Sequence, residues 1–145
     1  MGQALAAAFG ERRRAMRELA DTAPSTGAHS ARTTYIETYL SELHRDAPAF
    51  GCAAAALVGD AARAEPGAPI RAAFTEGLQD LVEAFQQLST TSNDGEADRT
   101  AALAELSTLV GALLLARACD DAVLSRSILD AALQYVTDRS ADTGD

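Results

Sequence analysis

The chain has 145 residues, 48% of them hydrophobic but only 5% aromatic. Much of that apolar content is alanine, which favours helices that approach closely, whereas a sheet calls for β-branched and aromatic runs; the composition points to one all-α domain. A formal charge of −9 and a pI of about 4.6 repel phosphate backbones and exclude nucleic-acid binding by these residues on their own.

In chain order, the spacing of apolar residues predicts six helices. Residues 3–22 place Leu5, Phe9, Met16 and Leu19 near one face, with Glu11 to Arg14, Arg17 and Glu18 on the rest. Pro24 to Gly27 break that helix. A second runs from about Ser30 to His44 with Tyr35, Ile36, Tyr39, Leu40 and Leu43 as its stripe, and Asp46-Ala47-Pro48 ends it, because a residue before proline leaves the α region. Cys52 to Ala64 form a helix of very small residues, suited to short interaxial distances. After the turn Glu65 to Pro69, the fourth helix carries Phe74, Leu78, Leu81, Phe85 and Leu88 on one face. Residues 89–98 read as a polar loop. A fifth helix starts near Asn93 to Glu96 and reaches Ala118, and Asp120-Asp121 favour the start of a sixth that carries Leu124, Ile128, Leu129, Ala132, Leu133 and Val136. Residues 1–139 thus form the helical domain and 140–145 a disordered tail.

Location follows from what is missing. Cys52 and Cys119 stand far apart and fit a reducing compartment. The N-terminus reaches Glu11-Arg12-Arg13-Arg14 without an uninterrupted apolar core, unlike a signal peptide, and the longest apolar run, Leu109 to Ala116, is far short of a membrane span. The expectation is a cytoplasmic protein with no membrane partner.

That same run has no polar side chain over two turns, and a helix apolar nearly all round must be covered nearly all round. A penultimate helix of a small monomer is not central enough to hide it, so a second copy of the chain is the expected partner.

Catalytic and metal-binding patterns are not found. There is no His-x-x-x-His, no Glu-x-x-His pair, no cysteine cluster, no nucleophile–base pair and no glycine-rich phosphate loop, so neither an enzyme, a metal site nor a cofactor is expected. His44 reads as a helix-end histidine near the C-terminal dipole, and Arg12, Arg13, Arg14 and Arg17 as a solvated face. The best-supported site is an apolar pocket for a small apolar or aromatic ligand. Tyr35, Tyr39, Phe74, Leu78 and Phe85 supply rings and branched chains, the tyrosine hydroxyls can orient a polar group, and Cys52 joins the lining at the start of its helix.

Several strings together resemble the middle and end of a TetR-family transcriptional regulator: His44-Arg45-Asp46-Ala47-Pro48, Gly51-Cys52-Ala53-Ala54-Ala55-Ala56-Leu57, Asp60-Ala61-Ala62-Arg63, Ile70-Arg71-Ala72-Ala73-Phe74, and Leu109 through Ala118 followed by Leu124-Ser125 and Ile128-Leu129. The resemblance implies an effector-binding and dimerisation domain whose pocket lies among the second to fifth helices. It also implies a two-fold four-helix bundle of residues about 101–118 and 122–137 from each subunit, with Leu106, Val110, Leu114, Arg117, Leu124, Ile128 and Ala132 at the contact. Successive helical residues point about 100° apart, so Leu113, Leu114 and Leu115 cannot all meet the partner. In that family a helix-turn-helix head precedes this domain and reads DNA; residues 3–22 resemble the helix that follows it, and DNA binding transfers to no residue here. A fragment, an internal-start product and a naturally headless relative all fit. An alternative function is a standalone helical homodimer that sequesters full-length relatives.

Overall fold

The computed structural model describes residues 2–24, 30–88 and 95–142. Among these there are seven α-helices and no strand: α1 (Gly2–Thr22), α2 (Ala31–Tyr39), α3 (Glu42–Asp46), α4 (Ala53–Arg63), α5 (Pro69–Gln86), α6 (Gly95–Ala118) and α7 (Ala122–Asp142), with a 3₁₀ turn at Pro48–Phe50 between α3 and α4.

The expected second helix is two helices. The Ser30 hydroxyl caps α2 by accepting from the Thr33 N–H at 3.2 Å. Ser41 then does the same for α3, accepting from the His44 N–H at 3.2 Å. This second cap sits in the middle of the apolar stripe, and the helix is interrupted there. Tyr35, Ile36, Tyr39 and Leu40 point into the core, but Leu43 is turned outward and is 83% exposed. The remaining helix starts follow their local chemistry. Gly67, at φ +82°, makes the turn that a side chain would strain, and Pro69 opens α5 where its missing N–H costs nothing. Asp121 Oδ1 accepts from the N–H groups of Val123 and Leu124 at 2.8 and 3.0 Å and so starts α7. At its far end α7 continues through Asp142, so the expected tail from residue 140 is helical to that point; residues 143–145 lie outside the described residues, as does most of the expected 89–98 loop.

Packing is closest where side chains are smallest. α1 lies against α5 at Gly77, where an added Cβ would collide with the Phe9 ring. Phe9 meets Phe74 edge to face at 5.9 Å, and Arg13 pairs with Asp80 at 2.6 Å across the same two helices. Ala53, Ala54, Ala55 and Ala61 are buried on α4, as its composition requires. The Arg32 Nε donates to Glu105 Oε2 at 3.1 Å and joins α2 to α6.

α6 divides its leucines. Leu106, Leu109 and Leu113 enter the core, each contributing roughly 1.5–3 kcal/mol of burial. Leu115 is 62% exposed and Leu114 is partly buried, as the 100° step demands. Across Asp98–Ala118 the helix is also long and apolar enough to cross a membrane by length and composition, with mean hydropathy 1.5, which the shorter Leu109–Ala116 run did not reveal.

Candidate functional site

The ring cluster begins on α2. Residues 35 and 39 are one helical turn apart, so both tyrosines lie on the inner face, with ring centroids 5.8 Å apart. Phe85 from α5 meets Tyr35 edge to face at 5.8 Å. Cys52, immediately before α4, is buried close enough to the Tyr39 phenol for their electrostatics to interact. Tyr35, Tyr39, Cys52 and Phe85 are thus brought together. Phe74 is not: it packs on Phe9 instead, and Leu78 is only partly buried. The helix break explains part of this, because the site forms where α2 ends rather than along the whole of α5.

His44 completes the cluster, and it was not among the expected site residues. The α2–α3 turn folds its ring back onto Tyr39, centroids 4.7 Å apart, and places Nδ1 2.7 Å from the Tyr39 carbonyl oxygen. A carbonyl only accepts, so Nδ1 carries the hydrogen in the neutral ring and Nε2 carries a lone pair. Burial holds the imidazole below its ordinary pKa, reinforced by the charges of Arg12 and Arg117 and opposed by the bond to Tyr39. Burial likewise pushes both tyrosine phenols well above their ordinary range.

Three polar side-chain atoms of this cluster have no hydrogen-bond partner among the described residues: Tyr35 Oη, Tyr39 Oη and His44 Nε2. The Cys52 thiol beside Tyr39 is a weak partner at best and does not meet ordinary hydrogen-bond geometry with it. Leaving such a group unmet costs about 1–3 kcal/mol, and native cores keep such cases few. Arg12, partly buried on α1, stands near enough for its charge to act on both phenols and on the imidazole. Sequence reasoning left Arg12 within a solvated basic face because it sits in a run of four nearby arginines; its place on the Phe9–Met16 side of the helix was the available signal.

The second candidate region is the outer face of α6 and α7. From Thr100 to Ala118 the exposed arc of α6 carries Leu103, Ala104, Ser107, Leu115 and Ala118 with Val110, Gly111 and Leu114 beside them, and no charged residue. Leu124, Ile128, Ala131 and Tyr135 recur at i, i+4, i+7 and i+11 along α7, with Tyr135 56% exposed. Three residues expected at a subunit contact are engaged elsewhere. Leu106 and Ala132 belong to the subunit's own core. Arg117 donates from Nε to the Arg45 carbonyl at 3.0 Å and from a terminal nitrogen to the His44 carbonyl at 2.7 Å. Val110, Leu114, Leu124 and Ile128 remain at or near the surface.

A cleft of about 390 Å³ opens where α3 ends against the α6–α7 turn, lined by Arg45, Asp46, Arg117, Cys119, Asp120 and Ser125 among others. Its cations are already committed. Arg45 pairs with Asp46 and donates to Ser125 Oγ, which in turn donates to the Ala116 carbonyl at 2.7 Å. The cleft ties α3 to α6 and α7 rather than presenting free donors. Among the described residues no three His, Cys, Asp or Glu side chains gather as a metal site requires.

No family model matches the chain, and no curated protein and no solved structure matches it.

Proposed function

We propose that the chain is an effector-sensing and dimerisation domain of the kind found in TetR-like transcriptional repressors, binding a small ligand with an apolar or aromatic body. The observation that carries this reading is the set of three buried, unpartnered polar atoms, Tyr35 Oη, Tyr39 Oη and His44 Nε2, amid rings and aliphatic side chains. A ligand that meets those atoms recovers hydrogen bonds that the ligand-free core forgoes.

Dimerisation rests on the uncharged face of α6 and α7. In a chain of charge −9, an α6 surface about five turns long without an exposed charge is where two copies can meet without burying like charges. The pairing uses Leu103, Val110, Leu114 and Leu115 with Leu124, Ile128, Ala131 and Tyr135, in a two-fold four-helix bundle. Arg117 links the two regions, because it leaves α6 to hold the carbonyls of His44 and Arg45. DNA binding in such a regulator belongs to a helix-turn-helix head and to none of these residues. A standalone dimer that sequesters relatives would use the same face but has no use for the buried polar cluster, so the sensing reading is preferred.

The test is a thermal-shift screen of small aromatic and aliphatic compounds against the full chain and its Tyr39→Phe variant. A compound that stabilises the parent and loses its effect in the variant supports the reading. Compounds that stabilise both equally, or none at all, overturn it.

A further inference from the structure

The ligand-binding reading of the Tyr35–Tyr39–His44 cluster also constrains the ligand's charge. We infer that the site takes a small carboxylic acid as its anion, with Tyr35 and Tyr39 donating to the carboxylate, Arg12 supplying the counter-charge, and His44 taking up one proton as the anion binds. This rests on the cluster being a binding site at all.

Each partner follows from the unmet capacity of its own atoms. Both phenols are buried and stay protonated, and neither O–H meets an oxygen or nitrogen acceptor among the described residues, Tyr39 having only the weakly accepting Cys52 thiol beside it. Two donors match the two oxygens of a carboxylate. A phosphoryl group, with three acceptor oxygens and up to about two charges, would leave acceptors and charge unmet in an apolar surround. Arg12 is partly buried, forms no ion pair among the described residues and acts electrostatically on Tyr35, Tyr39 and His44 together. Around it Arg13 is already held by Asp80, so Arg12 is the cation left to the site.

His44 Nε2 is an acceptor in the resting protein, and an acceptor facing a carboxylate repels it. The pair becomes favourable when one proton from solvent joins Nε2, giving an imidazolium that donates to the anion; no bond of the ligand breaks. The groups facing His44 are Arg12 from α1, Tyr39 from α2 and Arg117 from α6, while the Cys52 thiol before α4 neighbours the tyrosine phenols. On its own helix Glu42 is paired with Arg126 and Asp46 with Arg45. Burial first, and the two facing arginines after it, disfavour the imidazolium until an anion arrives, so anion and proton enter together.

Isothermal titration of the full chain with benzoate, phenylacetate and octanoate, each beside its amide, tests this directly. At least one acid is expected to bind at least about tenfold more tightly than its amide. Its affinity should rise on going from about pH 8 toward about pH 6, by up to about tenfold per unit for one proton taken up. Arg12→Gln should weaken the acid by at least about tenfold while the helical circular dichroism and melting of the free protein stay unchanged. His44→Asn should flatten the pH dependence. If amides bind as tightly as acids and Tyr39→Phe still weakens both, the cluster is a ligand site but not an acid site, and the inference falls alone. If no probe binds, and a crystal structure shows only waters bridging the three polar atoms, the inference and the sensing function fall together.

Discussion

The α2–α3 cluster and the outer face of α6–α7 depart from ordinary burial in opposite directions. Around Tyr35, Tyr39 and His44, polar atoms are hidden where apolar ones would serve the core better. Along Leu103, Leu115, Leu124 and Tyr135, large apolar side chains are shown where polar ones would serve solubility better. A core optimised for one folded subunit has reason for neither, since each carries a cost that a second molecule removes. In the proposed reading the first exception is met by a small ligand with polar groups and the second by a surface like itself. Arg117 gives the two a mechanical connection, because the guanidinium that leaves α6 fixes the backbone on which His44 rides.

The largest expected effect separates the two faces of α6. Leu113 is fully buried, so Leu113→Ala should cost about 2–5 kcal/mol in urea unfolding. Leu115→Ser, two positions on, should leave subunit stability within about 0.5 kcal/mol and act only on association, seen as a loss of the concentration dependence of melting. Equal losses at both positions would erase the distinction between core and contact face. Next comes Gly77→Ala. Alanine in a helix ordinarily gains about 1 kcal/mol over glycine, but here its Cβ meets the Phe9 ring, so a net loss of about 1–3 kcal/mol is expected by the same method. Smaller and opposite in sign is Tyr39→Phe, which removes a buried hydroxyl without a proper partner. Without ligand it should raise stability by about 1 kcal/mol, and a loss of that size would mean that Tyr39 Oη is satisfied and the contrast between regions is false.

The smallest expected effect is the dependence on pH. The folded-state pKa of His44 lies below its unfolded value, so the unfolded chain binds the proton more readily. The contribution of His44 is therefore fully present above about pH 6.5 and fades as pH falls toward the folded pKa. Melting curves of the parent and His44→Asn should converge as the pH is lowered through that window; parallel curves would place His44 outside the cluster.

Most helices were legible because their start signals are local: Pro69, Asp121 and the small-residue run after Cys52 act within a turn of themselves. The candidate site was only half legible. Tyr35, Tyr39 and Phe85 follow from apolar spacing, but His44 depends on Ser41 interrupting the helix, and a serine inside a 3.6-residue stripe looks like an ordinary member of its polar face. Leu43 shows the consequence, since spacing alone put it in the core and the break exposes it. Leu106 is packed in the core of its own chain and Arg117 is bonded to the α3 carbonyls for a related reason. Which arc of an all-round apolar helix faces the core is set by its neighbours, here the α3 carbonyls and the Arg32–Glu105 pair, and not by its own pattern.

The measurement that bears most directly on this picture is sedimentation of the purified full chain beside a variant carrying Leu114→Asp and Leu124→Asp. Two chains of 15.1 kDa per particle are expected for the parent and one folded chain for the variant, with the helical spectrum unchanged. A parent that stays a single chain at tens of micromolar (about the range where a specific dimer of this kind must form), or one that floats with lipid vesicles instead of pairing, would contradict it.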